Sequence, residues 1–182
     1  PGRDSNRFQY ERFLLTQLLV MSLKGVPAFY LPALLASEND IKSFSMTGQR
    51  RDLNREKFKS EKLEAVFKNP ESNANKNLRY LRHAMDVRSQ LPQFHPQSQM
   101  ECLSKNRADI VVIKRGIGSK AVFIIHNMTE NKINYRFIDY EFNKLIKNDL
   151  NMQDYLTSNK YNSNNIELDP FQVIWLGFLI DD

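Results

Sequence analysis

The stretch TGQRRDLNREKF, which runs from Thr47 to Phe58, is rich in charged side chains. Half of its residues are charged, with three arginines, one lysine, one aspartate and one glutamate. It follows the long connection ASENDIKSFSM, which comes directly after the apolar run GVPAFYLPALL. In parallel α/β folds, ligands bind in the loops after the C-terminal ends of strands, and long ordered loops there are often functional. The stretch is therefore the candidate site, and a solvated loop leading into a capped helix is the alternative that the residues leave open.

Other catalytic and metal-binding patterns are missing from the sequence. None of its histidines (His83, His95 and His126) lies at metal-ligand spacing from another histidine, a cysteine or a carboxylate, so we expect a structural role for each. Cys102 has no nucleophile signature around it, and no Ser-His-Asp pattern stands out. The segment KRGIGSK is typical of a hairpin turn rather than a phosphate-binding loop. The sequence thus predicts neither a metal site nor a bound cofactor.

The composition is that of a globular protein, and 182 residues suffice for one domain with a core or for two small ones. The net charge of +5 is mild and does not argue for nucleic acid, although it could attract an anion such as phosphate. A single cysteine, no visible signal peptide and no apolar stretch of bilayer length together predict a cytoplasmic location without a membrane partner. Because the chain begins PGRDSN, we expect it to be a piece of a longer protein.

The first half of the sequence must position the candidate site, and its patterns are those of an α/β unit. Apolar spacing predicts a helix over Phe8–Leu23. The run Val26–Leu31 has no alternation, which suits a strand covered on both faces, provided that its proline lies near its beginning. A long connection, Pro32–Thr47, should follow, and then a short helix over Asp52–Phe58 with its first residue or Asn54 as the cap.

The second half changes from helical to strand periodicity. After the polar loop NPESNANKN, a helix is predicted over Leu78–Leu91 and should end before Pro92 and Pro96. Arg88 lies within its apolar face and should reach outward past that face. Short runs rich in β-branched and aromatic residues then predict a small antiparallel sheet from about residue 100: DIVVIKRG, KAVFIIHNM, KINYRFI and FQVIWLGFL. Between the last two runs, the segment from Tyr140 to Asn165 is predicted to be weakly helical or looped.

Specific motifs stand in order along the chain and identify a family. They are G-[VI]-P-x-x-Y at Gly25, Val26, Pro27 and Tyr30; N-D at Asn39-Asp40; T-G at Thr47-Gly48; and R-x-[IL]-N-R at Arg51, Leu53, Asn54 and Arg55. Further on come LRYLRHAMDVRSQLPQFHP and DPFQVIWL. Together they resemble the last barrel strand, its loop, the final helix and the C-terminal domain of the sucrose phosphorylase branch of the α-amylase superfamily (glycoside hydrolase family 13). That branch includes the glucosylglycerate and glucosylglycerol phosphorylases.

The resemblance implies an α/β part followed by an all-β part. Residues 1–96 would be the C-terminal portion of a (β/α)8 TIM barrel, with its last helix-strand-helix units, and residues 97–182 a small antiparallel β domain. The family's reaction is a retaining double displacement in which an aspartate attacks the sugar, a glutamate protonates the leaving oxygen and phosphate accepts the glucosyl unit. By this resemblance those carboxylates lie upstream, so no residue here is expected to be catalytic and the fragment alone should be inert.

The resemblance also assigns roles within the loop. Arg51 matches the arginine that reaches the bound glucosyl unit, and a guanidinium offers several fixed donors to sugar hydroxyls, with nearby carboxylates available to hold it. Asn39 and Asp40 would shape the acceptor side. Asp52, Asn54 and Arg55 would cap the helix and brace the loop, while Arg50 should be exposed. Three positions depart from one or another group of relatives, which leaves the acceptor open among fructose, glycerate, glycerol and similar compounds: Glu38, Gln49 and Asp52.

The expected partners are therefore a small α-glucoside and inorganic phosphate as co-substrate, with no cofactor, metal, nucleic acid or membrane, and with a homodimer left open. A plain hydrolase or transglycosylase of the same superfamily is the first alternative. The alternative from another class is a non-catalytic basic module that uses QRRDLNREKFKSEK to bind anionic polymers. Charges of both signs alternate there without an aromatic ladder, which disfavours that reading.

Overall fold

The computed structural model describes residues 7–104, 107–137 and 151–179. The chain divides into two compact units. The first unit combines residues 1–27 with residues 84–182, and the second comprises Ala28–His83. The boundary predicted at residues 96 and 97 stays a prediction. No helix in the described part of the chain is long and apolar enough to cross a membrane.

The first unit begins with helix α1, Gln9–Ser22, which confirms the predicted helix. Leu15, Leu18 and Met21 recur at helical spacing and are buried, so one face of α1 faces the core. The helix packs against strand β3, Val122–Asn127. Beyond its end, Gly25 has a φ of +112°, a conformation open to glycine but strained for other residues.

The strand predicted at Val26–Leu31 is absent from the described residues, so that prediction was wrong. Residues 26–30 have no regular secondary structure, and Leu31 already belongs to a helix. Val26 is 81% exposed and Tyr30 is 53% exposed, which contradicts burial on both faces. A strand forms only beside a hydrogen-bonded neighbour, and within the described part of the chain no strand pairs with this segment.

The rest of the first unit is built of β-strands. Besides β3 they are β1, Met100–Cys102; β2, Ile110–Arg115; β4, Ile133–Tyr135; β5, Asn151–Asp154; β6, Lys160–Asn162; β7, Ile166–Leu168; and β8, Val173–Phe178. They form a six-stranded antiparallel sheet in the order β1-β2-β3-β8-β5-β6 and a two-stranded sheet of β4 and β7. The four predicted runs each contain one of these strands, so the predicted antiparallel sheet is confirmed.

The central strands are buried on both faces. On one face, Val112, Phe123 and Leu176 belong to the main apolar core, to which both strands of the small sheet also contribute. On the other face, Ile124 and Trp175 are cross-strand partners and are also fully buried. Side chains alternate between the two faces along a strand, so this pattern requires cover on both sides of the sheet.

The segment from Tyr140 to Asn165 was predicted to be weakly helical or looped, and this was wrong for its last part. Strands β5 and β6 occupy Asn151–Asp154 and Lys160–Asn162, while residues 138–150 lie outside the described residues. The β5 strand pairs with β8, and Met152 is fully buried. Asn151 and Asp154 of β5 are poor strand formers, so pairing with the apolar strand β8 decides the conformation of β5.

The second unit consists of short helices. They are α2, Leu31–Leu34; α3, Ile41–Thr47; a 3₁₀ turn, Arg50–Asn54; α4, Ser60–Lys68; and the first part of α5, Asn73–Gln90, which continues into the first unit. The long connection predicted at Pro32–Thr47 therefore contains α3 and most of α2. The helix predicted at Asp52–Phe58 is absent, since only the 3₁₀ turn is present and residues 55–59 are irregular. The predicted helix Leu78–Leu91 is confirmed but begins five residues earlier, inside the segment NPESNANKN.

Candidate functional site

Asp40 organises the loop that follows α2. Its Oδ1 accepts a hydrogen bond from the Ser43 backbone N–H at 2.9 Å, and its Oδ2 accepts one from the Ser43 hydroxyl at 2.5 Å, so its side chain caps α3. Its own backbone N–H donates to the Leu53 carbonyl oxygen at 2.7 Å. One residue therefore ends the loop, starts α3 and joins the 3₁₀ turn that carries Arg51.

This loop lines a cavity of about 570 Å³ within the second unit. The polar residues around it include Ser37, Glu38, Asn39, Asp40, Lys42 and Glu56, and the apolar ones include Leu35, Ile41 and Phe58. Three carboxylates and one ammonium group surround the space together with amide and hydroxyl groups. Most of the exposed lining is nevertheless apolar, with these polar groups set within it, as in many small-molecule pockets.

The structure brings Asn39 and Asp40 to this cavity but does not place Arg51 in its lining. Arg51 lies on the 3₁₀ turn and is exposed. The sequence predicts that nearby carboxylates hold this guanidinium. In the described part of the chain, however, no hydrogen bond or ion pair is formed by the Arg51 side chain. Its five donors are thus available to a group from outside the unit.

Asp52, Asn54 and Arg55 were predicted to cap a helix and brace the loop, and the helix that they would cap is absent. Asp52 accepts a hydrogen bond from the Thr47 hydroxyl at 2.6 Å and so braces the junction between α3 and the 3₁₀ turn rather than capping a helix. Asn54 and Arg55 are exposed, and the Arg55 backbone N–H closes the turn onto the Asp52 carbonyl oxygen at 3.4 Å. Arg50 is exposed, as predicted.

Asn77 is a residue of this unit that sequence reasoning missed. It is completely buried, and its Nδ2 donates to the carbonyl oxygens of Ala33 at 3.0 Å and Leu34 at 2.8 Å. The signal was available in the sequence, because Asn77 lies four and seven residues before Leu81 and Ala84, which are both fully buried. A polar residue on the buried face of a helix needs hydrogen-bond partners in the core.

The histidines and the cysteine do not form a ligand set, and no group of residues in the described ranges could hold a metal ion. His126 is fully buried on β3, with Nε2 at 3.1 Å from the Ser22 hydroxyl of α1 and Nδ1 at 3.3 Å from the Val111 carbonyl oxygen. Burial lowers the pKa of His126 to about 4, so its neutral ring joins α1 to the sheet. His83 and Cys102 are exposed.

The motif segments LPQFHP and FQVIWL meet in the first unit. The rings of Phe94 and Trp175 lie with centroids 4.7 Å apart, and the guanidinium groups of Arg88 and Arg115 each lie 5.4 Å from the Phe94 ring. Arg88 donates to the carbonyl oxygens of Met21 at 3.0 Å and of Gly25 at 2.8 Å. The prediction that Arg88 reaches outward past its helix was wrong, because it turns to the unpaired carbonyls at the end of α1.

Arg115, fully buried, binds the same end of α1 through the Leu23 carbonyl oxygen at 2.7 Å and the Ser22 carbonyl oxygen at 3.2 Å. Desolvation lowers the pKa of both guanidinium groups, and Arg88 adds like-charge repulsion at Arg115. These motif residues therefore hold the fold together, and none of their contacts points to a ligand.

No protein-family model matches the chain. Among curated proteins, a glucosylglycerate phosphorylase from Allomeiothermus silvanus is 36% identical over 131 residues, which are 71% of this chain and 23% of the relative. A sucrose phosphorylase from Streptococcus mutans is 28% identical over 102 residues, which are 56% of this chain and 20% of the relative. The chain therefore spans about a quarter of the length of the curated relatives that it matches.

Among solved structures, the isomaltulose synthase from Klebsiella sp. LX3 superposes with a TM-score of 0.70 at 16% identity, covering 98% of this chain and 40% of that enzyme. At that identity the likeness concerns the fold alone, over the part of that enzyme that is covered. The chain is thus a relative of the glucosylglycerate and sucrose phosphorylases of the α-amylase superfamily, and the resemblance predicted from its motifs is confirmed.

Proposed function

We propose that this chain is the C-terminal part of a retaining α-glucoside phosphorylase that transfers a glucosyl unit to inorganic phosphate and releases glucose 1-phosphate. The observation that carries the proposal is the 36% identity to a glucosylglycerate phosphorylase over 71% of the chain. The cavity beside Asn39 and Asp40 combines an apolar lining with polar side chains that could bind the hydroxyl groups of a sugar or a small polyol. No cofactor or metal is required, because phosphate itself accepts the glucosyl group.

In this proposal the nucleophile, the general acid and the barrel strands that carry them belong to the part of the protein that precedes residue 1. Retention needs two carboxyl groups about 5–5.5 Å apart on either side of the glycosidic bond. The loop described above contributes binding groups to that site and no reacting group. The 182-residue chain on its own is accordingly expected to release no glucose 1-phosphate from any α-glucoside.

Arg51 is proposed as the direct sugar ligand. It is exposed and carries donors that no described group of the chain occupies, whereas Asp52 beside it is committed to Thr47. Arg51→Ala removes charge-assisted hydrogen bonds worth about 1.5–3 kcal/mol each, so losing one or two lowers kcat/KM by roughly 10- to 10⁴-fold. Arg51→Lys should recover only part of this, because an ammonium group lacks the planar fork. Arg50→Ala is the matched control and should remain within a few-fold of wild type.

The test uses the full-length protein with a panel of α-glucosides that includes sucrose, glucosylglycerate and glucosylglycerol. Release of glucose 1-phosphate that depends on added phosphate supports the proposal, and the preferred glucoside identifies the acceptor. Release of free glucose at the same rate without phosphate would instead identify a hydrolase. If Arg51→Ala is as active as Arg50→Ala, the role given to Arg51 is wrong even where the phosphorylase activity is present.

A further inference from the structure

We infer that Asn77 is a positioning residue that holds the loop 36–40 against the cavity, although Asn77 itself touches no substrate. The inference rests on the proposed function, since it assigns an effect on glucoside binding to a residue outside the cavity lining. Asn77 belongs to α5, more than 35 residues along the chain from the loop that it would control.

The end of α2 is closed by two kinds of hydrogen bond. Backbone bonds run from the Ala36 N–H to the Ala33 carbonyl oxygen at 3.2 Å and from the Ser37 N–H to the Pro32 carbonyl oxygen at 2.9 Å. With Ala36 in the left-handed region at a φ of +48°, this is the Schellman arrangement that ends a helix. The Asn77 side chain donates a second hydrogen bond to the Ala33 carbonyl oxygen. It also donates one to the Leu34 carbonyl oxygen, for which no other donor is seen among the described residues.

This anchor matters because α2 is only four residues long. The hydrogen bonds of a single turn do not offset the conformational entropy that is lost when its backbone is ordered, so an isolated helix of this length is not stable. The Asn77 amide is completely buried, so its two bonds form away from competing water. Without the Asn77 donor, the Leu34 carbonyl oxygen loses its hydrogen bond. The end of α2 is then held only by the two backbone bonds of the turn in which Ala36 has a strained, positive φ.

The anchored turn leads directly into the cavity. Ser37, Glu38 and Asn39 line it, and Asp40 then caps α3 and binds Leu53 in the 3₁₀ turn of Arg51. Asn77 is therefore linked to the turn of the proposed sugar ligand in three steps. Hydrogen bonds join Asn77 to the end of α2, the chain continues through the loop, and the Asp40 N–H binds Leu53 in the turn. A displacement of about 1 Å in such a path is enough to lower activity about 100-fold.

Asn75 provides a matched control on the same helix. Its Nδ2 donates to the carbonyl oxygens of Phe67 at 3.1 Å and Val66 at 3.4 Å, so it closes the end of α4 by the same chemistry. Helix α4 contributes the apolar Val66 to the cavity lining. The loop 36–40, which Asn77 holds, contributes polar side chains. Asn75→Ala should therefore cost stability without disturbing the polar lining.

The experiment measures Asn77→Ala and Asn75→Ala in the full-length protein, using the glucoside on which wild type is most active. For Asn77→Ala we expect kcat/KM to fall 10- to 100-fold, mainly through a higher KM for the glucoside. For Asn75→Ala, whose amide is only partly buried, we expect a change of less than threefold together with a smaller loss in Tm. General destabilisation lowers the amount of active enzyme and hence kcat, but it leaves KM unchanged. An unchanged KM in folded Asn77→Ala would overturn the inference.

Amide hydrogen exchange in the same two variants gives a readout that needs no activity. Peptides covering residues 31–47 should exchange faster in Asn77→Ala only, and peptides covering residues 60–72 faster in Asn75→Ala only. If wild type is inactive on every glucoside, the proposed function fails, and unchanged exchange over 31–47 in Asn77→Ala would then overturn the positioning role separately. If Asn77→Ala does not fold, Asn77→Ser, which keeps a short donor, is measured in its place, and the same outcomes decide.

Discussion

Acid is expected to destabilise the 182-residue chain through His126. The ring is completely buried between α1 and the sheet, and its pKa is lowered to about 4 from 6.5, chiefly by desolvation. Between pH 6.5 and 4 the unfolded chain therefore binds a proton that the native chain does not, so the free energy of unfolding falls as the pH falls. At 1.36 kcal/mol for each unit of pKa difference, the loss across this window is about 3 kcal/mol, and it is complete below about pH 4.

The measurement is urea unfolding at several pH values from 7.5 to 4.5, followed by the fluorescence of Trp175, which is the single tryptophan and is fully buried. His126→Gln keeps a polar side chain at this position but cannot titrate, so its free energy of unfolding should fall less steeply with pH than that of wild type. Burial raises the pKa of Asp154, an effect of opposite sign, but it is common to both proteins and cancels in the comparison. Equal slopes for wild type and His126→Gln would refute the reasoning.

The other predictions concern backbone strain, a buried carboxylate and exposed apolar surface. Ala36→Gly should raise the free energy of unfolding by up to about 1 kcal/mol in urea titrations, because Ala36 has a φ of +48° that glycine adopts without strain; a loss of stability would contradict this. Gly177→Ala should cost about 1–3 kcal/mol in the same assay, because the new Cβ would lie 2.6 Å from a Tyr155 ring carbon, and the cost should shrink when Tyr155→Ala is already present. Asp154→Ala should cost about 2–4 kcal/mol, because the Asp154 side chain accepts hydrogen bonds from the backbone N–H groups of Trp175 at 2.8 Å and Leu156 at 3.2 Å; Asp154→Asn, which keeps an acceptor oxygen, should cost less, and equal costs would argue against this account. The isolated chain should bind a dye for apolar surface and associate as its concentration rises, because Val26 and Tyr30 are 81% and 53% exposed; a chain that binds no dye and stays monomeric at every concentration would contradict this.

The elements that could be predicted from the sequence are those with a strong period of their own. Helices α1 and α5 carry apolar residues at helical spacing, and strands β2, β3 and β8 are runs of β-branched and aromatic residues. Each pattern buries one or both faces of an element in whatever core is available, so the type of element follows without knowledge of its neighbours. The family could likewise be predicted, because motif residues keep their order along the chain.

The arrangement of the candidate site could not be predicted from the sequence. Asn39 and Asp40 line the cavity, and the role on the acceptor side that the resemblance gives them stays a prediction. Asp52 was expected to cap a helix and instead binds Thr47, since that helix does not form. Asn77 was taken for part of a polar loop, because its role appears only once the end of α2 lies beside α5.

Three parts of the fold were decided by tertiary structure alone, and the reason is hydrogen bonding between segments far apart in sequence. Residues 26–30 have the composition of a strand, yet no strand of the described chain pairs with them, whereas the polar residues of β5 form a strand because β8 lies alongside. Helix α2, too short to be stable by itself, depends on an amide more than 40 residues away. The sequence by itself determined which faces of the helices and strands must be buried and which family the motifs resemble. The hydrogen-bond partners of the backbone N–H and C=O groups followed only from the tertiary structure. These groups are the same in every residue except proline, so the sequence does not encode their partners.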